Sequence, residues 1–188
     1  MILSVDTGLK NYALVVLDEK GTVYHAEVIQ SEKTKKKGRI AEDYANRITG
    51  IYTRLKDIID DPAYCIDTIT GELPSFGAQS SNAAVSLTAG ATIMLGVSAL
   101  YKMPIIYASP EEIKESFTGD PHASKKVIMQ RVCKLYGWDI TYKQVKPKNK
   151  PIRHDPVYHV MGQKLSAGYF EHIADAIAAF HTCKRRLN

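Results

Sequence analysis

The sequence predicts one α/β domain over residues 1–188, a mixed five-stranded sheet of three antiparallel strands continued by parallel strands, with helices on both faces. Three observations predict it. Apolar and β-branched runs open the chain in close succession, at Ile2–Val5, Tyr12–Leu17 and Thr22–Ile29, each followed by a turn signal. Beyond residue 40, helical and strand patterns alternate, as they do where strands join a sheet through helical crossovers. A chain of 188 residues with 45% hydrophobic content also fills one core and is too short for two large ones.

Each element has its own justification. Ile2-Leu3-Ser4-Val5 reads as a central strand that ends on a carboxylate, Asp6, and Thr7-Gly8 makes a tight, left-handed turn into the second strand. Thr22–Ile29 closes the meander after Gly21. The run Ser31–Arg39 carries five cations, Lys33, Lys35, Lys36, Lys37 and Arg39, and reads either as a solvated loop or as a contact to a nucleic-acid backbone. Ile40, Tyr44, Ile48, Ile51, Leu55, Ile58 and Ile59 recur at helical steps, so Ile40–Ile59 is an amphipathic helix ended by Asp60-Asp61-Pro62. Tyr64–Glu72 has strand composition up to Pro74, which puts a second acid, Glu72, at a strand end. Gly77–Leu100 is rich in Ala and Gly, hence a buried helix that lets the sheet or a second subunit approach closely. Met103–Ala108 is a fifth strand, and Ser109-Pro110-Glu111-Glu112 starts a helix. A further helix over Ser124–Tyr136 buries Val127, Ile128, Val132 and Leu135. Trp138–Gly168 combines prolines with Lys143, Lys146, Lys148, Lys150 and Arg153 without clear periodicity, and reads as an exposed basic loop. Tyr169–Arg186 is the closing helix, its basic end matched to the helix dipole.

The bulk chemistry narrows the partners. A formal net charge of +5 favours an anionic ligand. Three dispersed cysteines, Cys65, Cys133 and Cys183, read as reduced thiols and not as a disulfide framework. Neither a leader segment nor an apolar run of spanning length stands out, so the expectation is a soluble, cytoplasmic protein.

The carboxylates carry the chemistry. Asp6, placed after an apolar strand, is costly to desolvate and needs a metal ion, a donor or a substrate beside it. His172 and Asp175 are three apart on the last helix and share one face, where imidazole and carboxylate can grip a divalent ion. Each motif alone is weak; the order along the chain is not. Acid after strand one, acid after strand four and His-x-x-Asp on the final helix make a recurrent arrangement.

That order resembles the RuvC-type Holliday junction resolvases of the ribonuclease-H-like superfamily, over Ile2 to Cys183. Four local matches carry the resemblance: Asp6-x-Gly8, the block that begins at Glu72 and runs into the small-residue helix, the pair Lys114 and Lys125, and His172-Ile173-Ala174-Asp175. The resemblance implies a ribonuclease-H-like fold and magnesium-dependent cleavage of branched DNA. It implies two Mg²⁺ ions, with Mn²⁺ able to substitute, held by Asp6, Glu72, His172 and Asp175. It makes Lys125 a catalytic cation and Lys114 a backbone contact, with Phe76 either a base-stacking aromatic or a core residue. It also implies a homodimer with Gly77–Leu100 near the interface. Asp67 competes with Glu72 as the second acid. The Trp138–Gly168 segment is longer and more basic than in cellular members, which suggests that Lys146, Lys148 and Lys150 grip DNA and would suit a bacteriophage variant acting in host cytoplasm. The rival readings are a ribonuclease acting on RNA–DNA hybrid or structured RNA, a phosphotransferase using Asp-x-Gly for ATP, and a non-catalytic branched-DNA-binding protein.

Overall fold

The computed structural model describes residues 1–31, 40–73, 81–147 and 151–186. The basic run 33–39, Phe76, Lys148 and Lys150 lie outside the described residues. Five strands make the main sheet: β1 (Ile2–Asp6), β2 (Asn11–Leu17), β3 (Val23–Gln30), β4 (Thr68–Glu72) and β5 (Ile105–Ala108). Their order is β3-β2-β1-β4-β5. β2 pairs antiparallel with both β1 and β3, while β4 pairs parallel with β1 and β5, so the expected mixed sheet is present.

Both faces of this sheet are covered, which is why its central strands read as continuous apolar runs. On one face α1 (Ile40–Ile59) and α2 (Ser81–Tyr101) pack over Leu3, Val5, Leu14 and Val16. On the other, α3 (Pro110–Thr118), α4 (Lys125–Tyr136) and α5 (Ala167–Cys183) cover Ile2, Ala13, Val15 and Leu17, and a 3₁₀ turn, Lys184–Arg186, follows α5. Ala174, Ala176, Ala178 and Ala179 are fully buried, so the small side chains bring α5 down on the strands, and Ser4 Oγ donates to the Ala176 carbonyl at 2.6 Å. α3 opens as its sequence requires: Ser109 Oγ accepts from Glu112 N–H, and the Glu112 carboxylate accepts from Ser109 N–H.

Several expectations need correction. Trp138–Gly168 is not an irregular loop: most of it is a second antiparallel sheet, β6 (Ile140–Val145), β7 (Arg153–Val160) and β8 (Gln163–Ser166), in the order β6-β7-β8. Pro156 sits within β7 where β8 no longer pairs, so its missing N–H costs no ladder bond on that side. The two-residue turn Met161-Gly162 has φ of 49° and 80°, the left-handed pair a tight hairpin needs, supplied without the usual Asn-Gly or Asp-Gly signature. β4 starts at Thr68, because the chain before it is held in a turn over residues 62–64, in which Ala63 N–H donates to the Asp61 side chain and Tyr64 N–H to the Asp61 carbonyl.

The helices differ from expectation in their faces. In α4 Ile128, Met129, Val132 and Cys133 are buried, but Val127 and Leu135 are exposed. α2 buries Ile93, Met94 and Val97 and leaves Val85, Leu95 and Leu100 exposed, so only one side of it is core. Ala84–Tyr101 is also long and apolar enough to cross a membrane by length and composition, contrary to the sequence reading, although here its inner side packs on the sheet. Gly8 is needed for space and not for a left-handed backbone, since a Cβ there would stand 2.7 Å from the Asn11 carbonyl oxygen. The cysteines are free, as expected, with Cys65 exposed and Cys133 and Cys183 buried.

Candidate active site

The site lies at the carboxyl end of the two central parallel strands. β1 ends on Asp6; its parallel neighbour β4 ends on Glu72, one residue past the Val5–Gly71 pair, so the two acids emerge side by side. α5 crosses the same edge. The Ser4–Ala176 hydrogen bond fixes its height; His172, one turn earlier, and Asp175, the residue just before Ala176, face the strand ends. On the opposite side Gly90 of α2 backs directly onto the Thr7 carbonyl, where a Cβ would come within 1.6 Å, so the residue after Asp6 is held from behind.

His172 Nδ1 donates to Asp6 Oδ2 at 2.6 Å, and its Nε2 accepts from Asn11 Nδ2 at 3.0 Å. Asn11 Oδ1 in turn accepts from Gln30 Nε2 at 3.4 Å. The chain from Gln30 through Asn11 and His172 to Asp6 assigns one tautomer to the ring, with both nitrogens engaged. The hydrogen bond to Asp6 raises the His172 pKa against the opposing effect of burial. Lys125 pairs with Glu171 and lies 3.7 Å from Asp175 Oδ2.

The remaining carboxylates are electrostatically frustrated. Burial, followed by the charges of Asp6 and Asp175, pushes Glu72 up to about 7, and Lys125 and Lys114 only partly offset this. Asp175 is likewise raised to about 7, by burial first and by Asp6 second. Such a set of hard oxygen donors, costly to ionise together, fits Mg²⁺, whose charge would relieve the repulsion. Among the described residues, no three His, Cys, Asp or Glu side chains stand close enough together to enclose an ion. Asp6 is drawn to His172, and Asp175 toward Lys125.

The structure thus pairs His172 with Asp6 and Lys125 with Asp175, and puts Asp6, Asp175, Lys125 and Lys114 within electrostatic reach of Glu72. Asp67 is elsewhere: it pairs with the Met1 ammonium at 3.2 Å, beyond the other end of β4. Lys146 is exposed just beyond β6. Sequence reasoning missed Asn11 and gave Glu171 no part. Asn11 opens β2, and only the antiparallel register of β1 and β2 places it beside His172, 161 residues away.

An ordered pair of acids stands on the central strands and a third on the closing helix, under a strand order that gives a ribonuclease-H-like fold. Within that class the chain is similar to RuvC proteins in sequence and in fold. It is 28% identical over 131 residues to the crossover junction endodeoxyribonuclease RuvC of Salinibacter ruber, covering 68% of this chain and 68% of that protein. Its fold matches Thermus thermophilus RuvC in complex with a Holliday junction substrate at a TM-score of 0.64, with 18% identity over 99% of this chain and 94% of that one. It also matches the yeast mitochondrial Holliday junction resolvase Ydc2 at 0.58, with 13% identity over 98% and 77% of the two chains. No family model matches the sequence.

Proposed function

We propose that this protein is a magnesium-dependent endodeoxyribonuclease that resolves four-way and other branched DNA junctions by phosphodiester hydrolysis. The observation that carries it is the convergence of Asp6, Glu72 and Asp175 at one sheet edge, two of them with pKa values raised to about 7. The likeness to the two RuvC proteins supports the substrate. Two bound Mg²⁺ ions, or Mn²⁺ in their place, would activate a water for in-line attack and stabilise the departing 3′-oxygen. Asp6, Glu72 and Asp175 are the residues that would hold them. His172 contributes by fixing the orientation of Asp6 through Nδ1, and its own place among the ligands requires Nε2 to leave Asn11. Lys125, shared between Glu171 and Asp175, brings a positive charge to the rim, where it would meet the phosphate; Lys114 adds a second.

The protein would act as a homodimer in the cytoplasm, with paired sites on opposite strands of the junction. α2 supports this arrangement: Val85, Thr88, Thr92, Leu95 and Ala99 recur at three- and four-residue steps on its exposed side. Lys146 and the cations of the second sheet would contact a DNA arm.

The test is cleavage of a labelled four-way DNA junction, linear duplex and RNA–DNA hybrid, with Mg²⁺ and with chelator. The expected outcome is paired nicks in the junction only with Mg²⁺, lost in Asp6→Asn while junction binding persists. Cleavage of the hybrid alone moves the protein to the ribonuclease reading. Binding without cleavage leaves a structural DNA-binding protein.

A further inference from the structure

A cavity of about 670 Å³ opens at the far end of α5, between α3, α4 and the 3₁₀ turn. Arg131, Lys134, Lys184 and Arg185 line it, and no carboxylate does. None of the four forms an ion pair among the described residues. Two of them lie over aromatic rings instead: the Arg131 guanidinium is 5.6 Å from the Phe117 ring centre, and Lys184 Nζ is 5.8 Å from that of Phe180. The helix dipole explains cations in the last turn of α4 and after α5. It does not explain Arg131 in mid-helix, or why all four converge on one concavity. His181, also in the wall, is held neutral, its pKa lowered to about 4 by burial and then by Lys184 and Arg185.

Converging unpaired cations repel one another and are relieved by an anion. Phe117 and Leu135 add apolar surface beside the charges, which suits a ligand with both phosphate and sugar or base. Nine residues of helix separate Lys184 from Asp175, roughly 14 Å along the axis. A single phosphate cannot touch both places, but a nucleic-acid strand can, at one nucleotide per about 3.4 Å of helix axis.

We propose that this cavity is a second nucleic-acid contact, a phosphodiester-backbone site that holds a DNA strand away from the scissile bond. The inference takes its ligand from the junction-resolving reading above, and its test does not require cleavage. Binding of a fluorescent duplex and of a four-way junction by the full chain is measured in chelator over a range of salt. The subject is Lys134→Gln/Lys184→Gln, compared with a charge-matched control on the opposite face, Lys56→Gln/Lys102→Gln, with thermal melts to verify folding.

Two lost phosphate contacts should make the slope of log affinity against log salt shallower by about 2, for both DNAs, in the pocket variant alone. Arg131→Lys, which keeps charge but loses the planar group over Phe117, should weaken binding with little change in slope. Equal slopes in pocket variant and wild type overturn the proposal and leave another anionic partner for the cavity. Equal loss in the control overturns it as well, in favour of net charge alone. If the pocket variant shows the expected slope change but wild type never cuts a junction, the functional reading fails and this one stands.

Discussion

Replacing Glu72 with Gln tests the electrostatics of the acid cluster directly, because it removes one charge and little volume. Glu72 titrates at about 7 in the folded chain against an ordinary value of 4.5, through burial and the charges of Asp6 and Asp175. A shift of this size corresponds to about 3 kcal/mol of differential interaction. Its sign is destabilising: between the unfolded and folded values the native state binds more protons than the unfolded one, so stability falls as pH rises through about 4.5 to 7 and the full cost is present above that. The Gln amide must still be buried, so the expected net gain for Glu72→Gln without metal is about 1–2 kcal/mol at pH 8. For a chain of this length that is about 2–8 °C in Tm. At pH 4 Glu72 is protonated in both states, and the gain should vanish. Added Mg²⁺ should raise the Tm of wild type more than that of the variant, reversing the order at pH 8. Thermal melts at pH 4 and pH 8, with chelator and with Mg²⁺, read all four quantities. An equal Tm for the two proteins at pH 8 in chelator, or a gain just as large at pH 4, refutes the reasoning.

Gly90→Ala would place a Cβ 1.6 Å from the Thr7 carbonyl oxygen, a main-chain collision that neither partner can absorb by rotating a side chain. The expected cost is about 1–3 kcal/mol, and because Thr7 follows Asp6, junction nicking should fall further than junction binding; an unchanged melt and rate would show that α2 does not brace the turn. Tyr12 is fully buried beside Asp6, and its hydroxyl has no hydrogen-bond partner among the described residues. Tyr12→Phe should therefore be neutral or stabilising by about 1 kcal/mol in chelator, and a loss above that in denaturant unfolding would reveal a partner for the hydroxyl.

What was legible in the sequence had one physical origin, burial on a regular period. β1 and β2 are covered on both faces and appear as unbroken apolar runs that lead directly to Asp6. α1 has one apolar stripe, and its limits, Ile40–Ile59, are those its periodicity predicts. His172 and Asp175 could be placed on one helix face from spacing alone. Their partners could not: the bonds from His172 to Asp6 and Asn11 span more than 160 residues and depend on the height of α5 over the sheet, which the Ser4–Ala176 contact sets. The exposed Leu135 shows the same limit, since α4 turns its core face to α3 and α5 and leaves the apolar residue at the rim of the basic cavity.

The second sheet was hidden for a different reason. Its strands carry charge and a proline, and only Tyr158, Val160 and the partly buried Ile140 and Leu165 tie it to the core, with the Tyr158 ring stacked 4.3 Å from Phe170. That stacking has a consequence for the site. β8 ends at Ser166, the N-cap of α5, and Phe170 is one residue before Glu171, the partner of Lys125. A basic loop in this position would move independently of the acids. This sheet is instead joined to the N-terminus of α5 and packed on the first turn of the helix that carries His172 and Asp175, so on the proposed reading a DNA arm gripped at Lys143 or Lys146 would be tied to the proposed catalytic carboxylates through packed structure. On that reading the second sheet would supply geometry as well as charge.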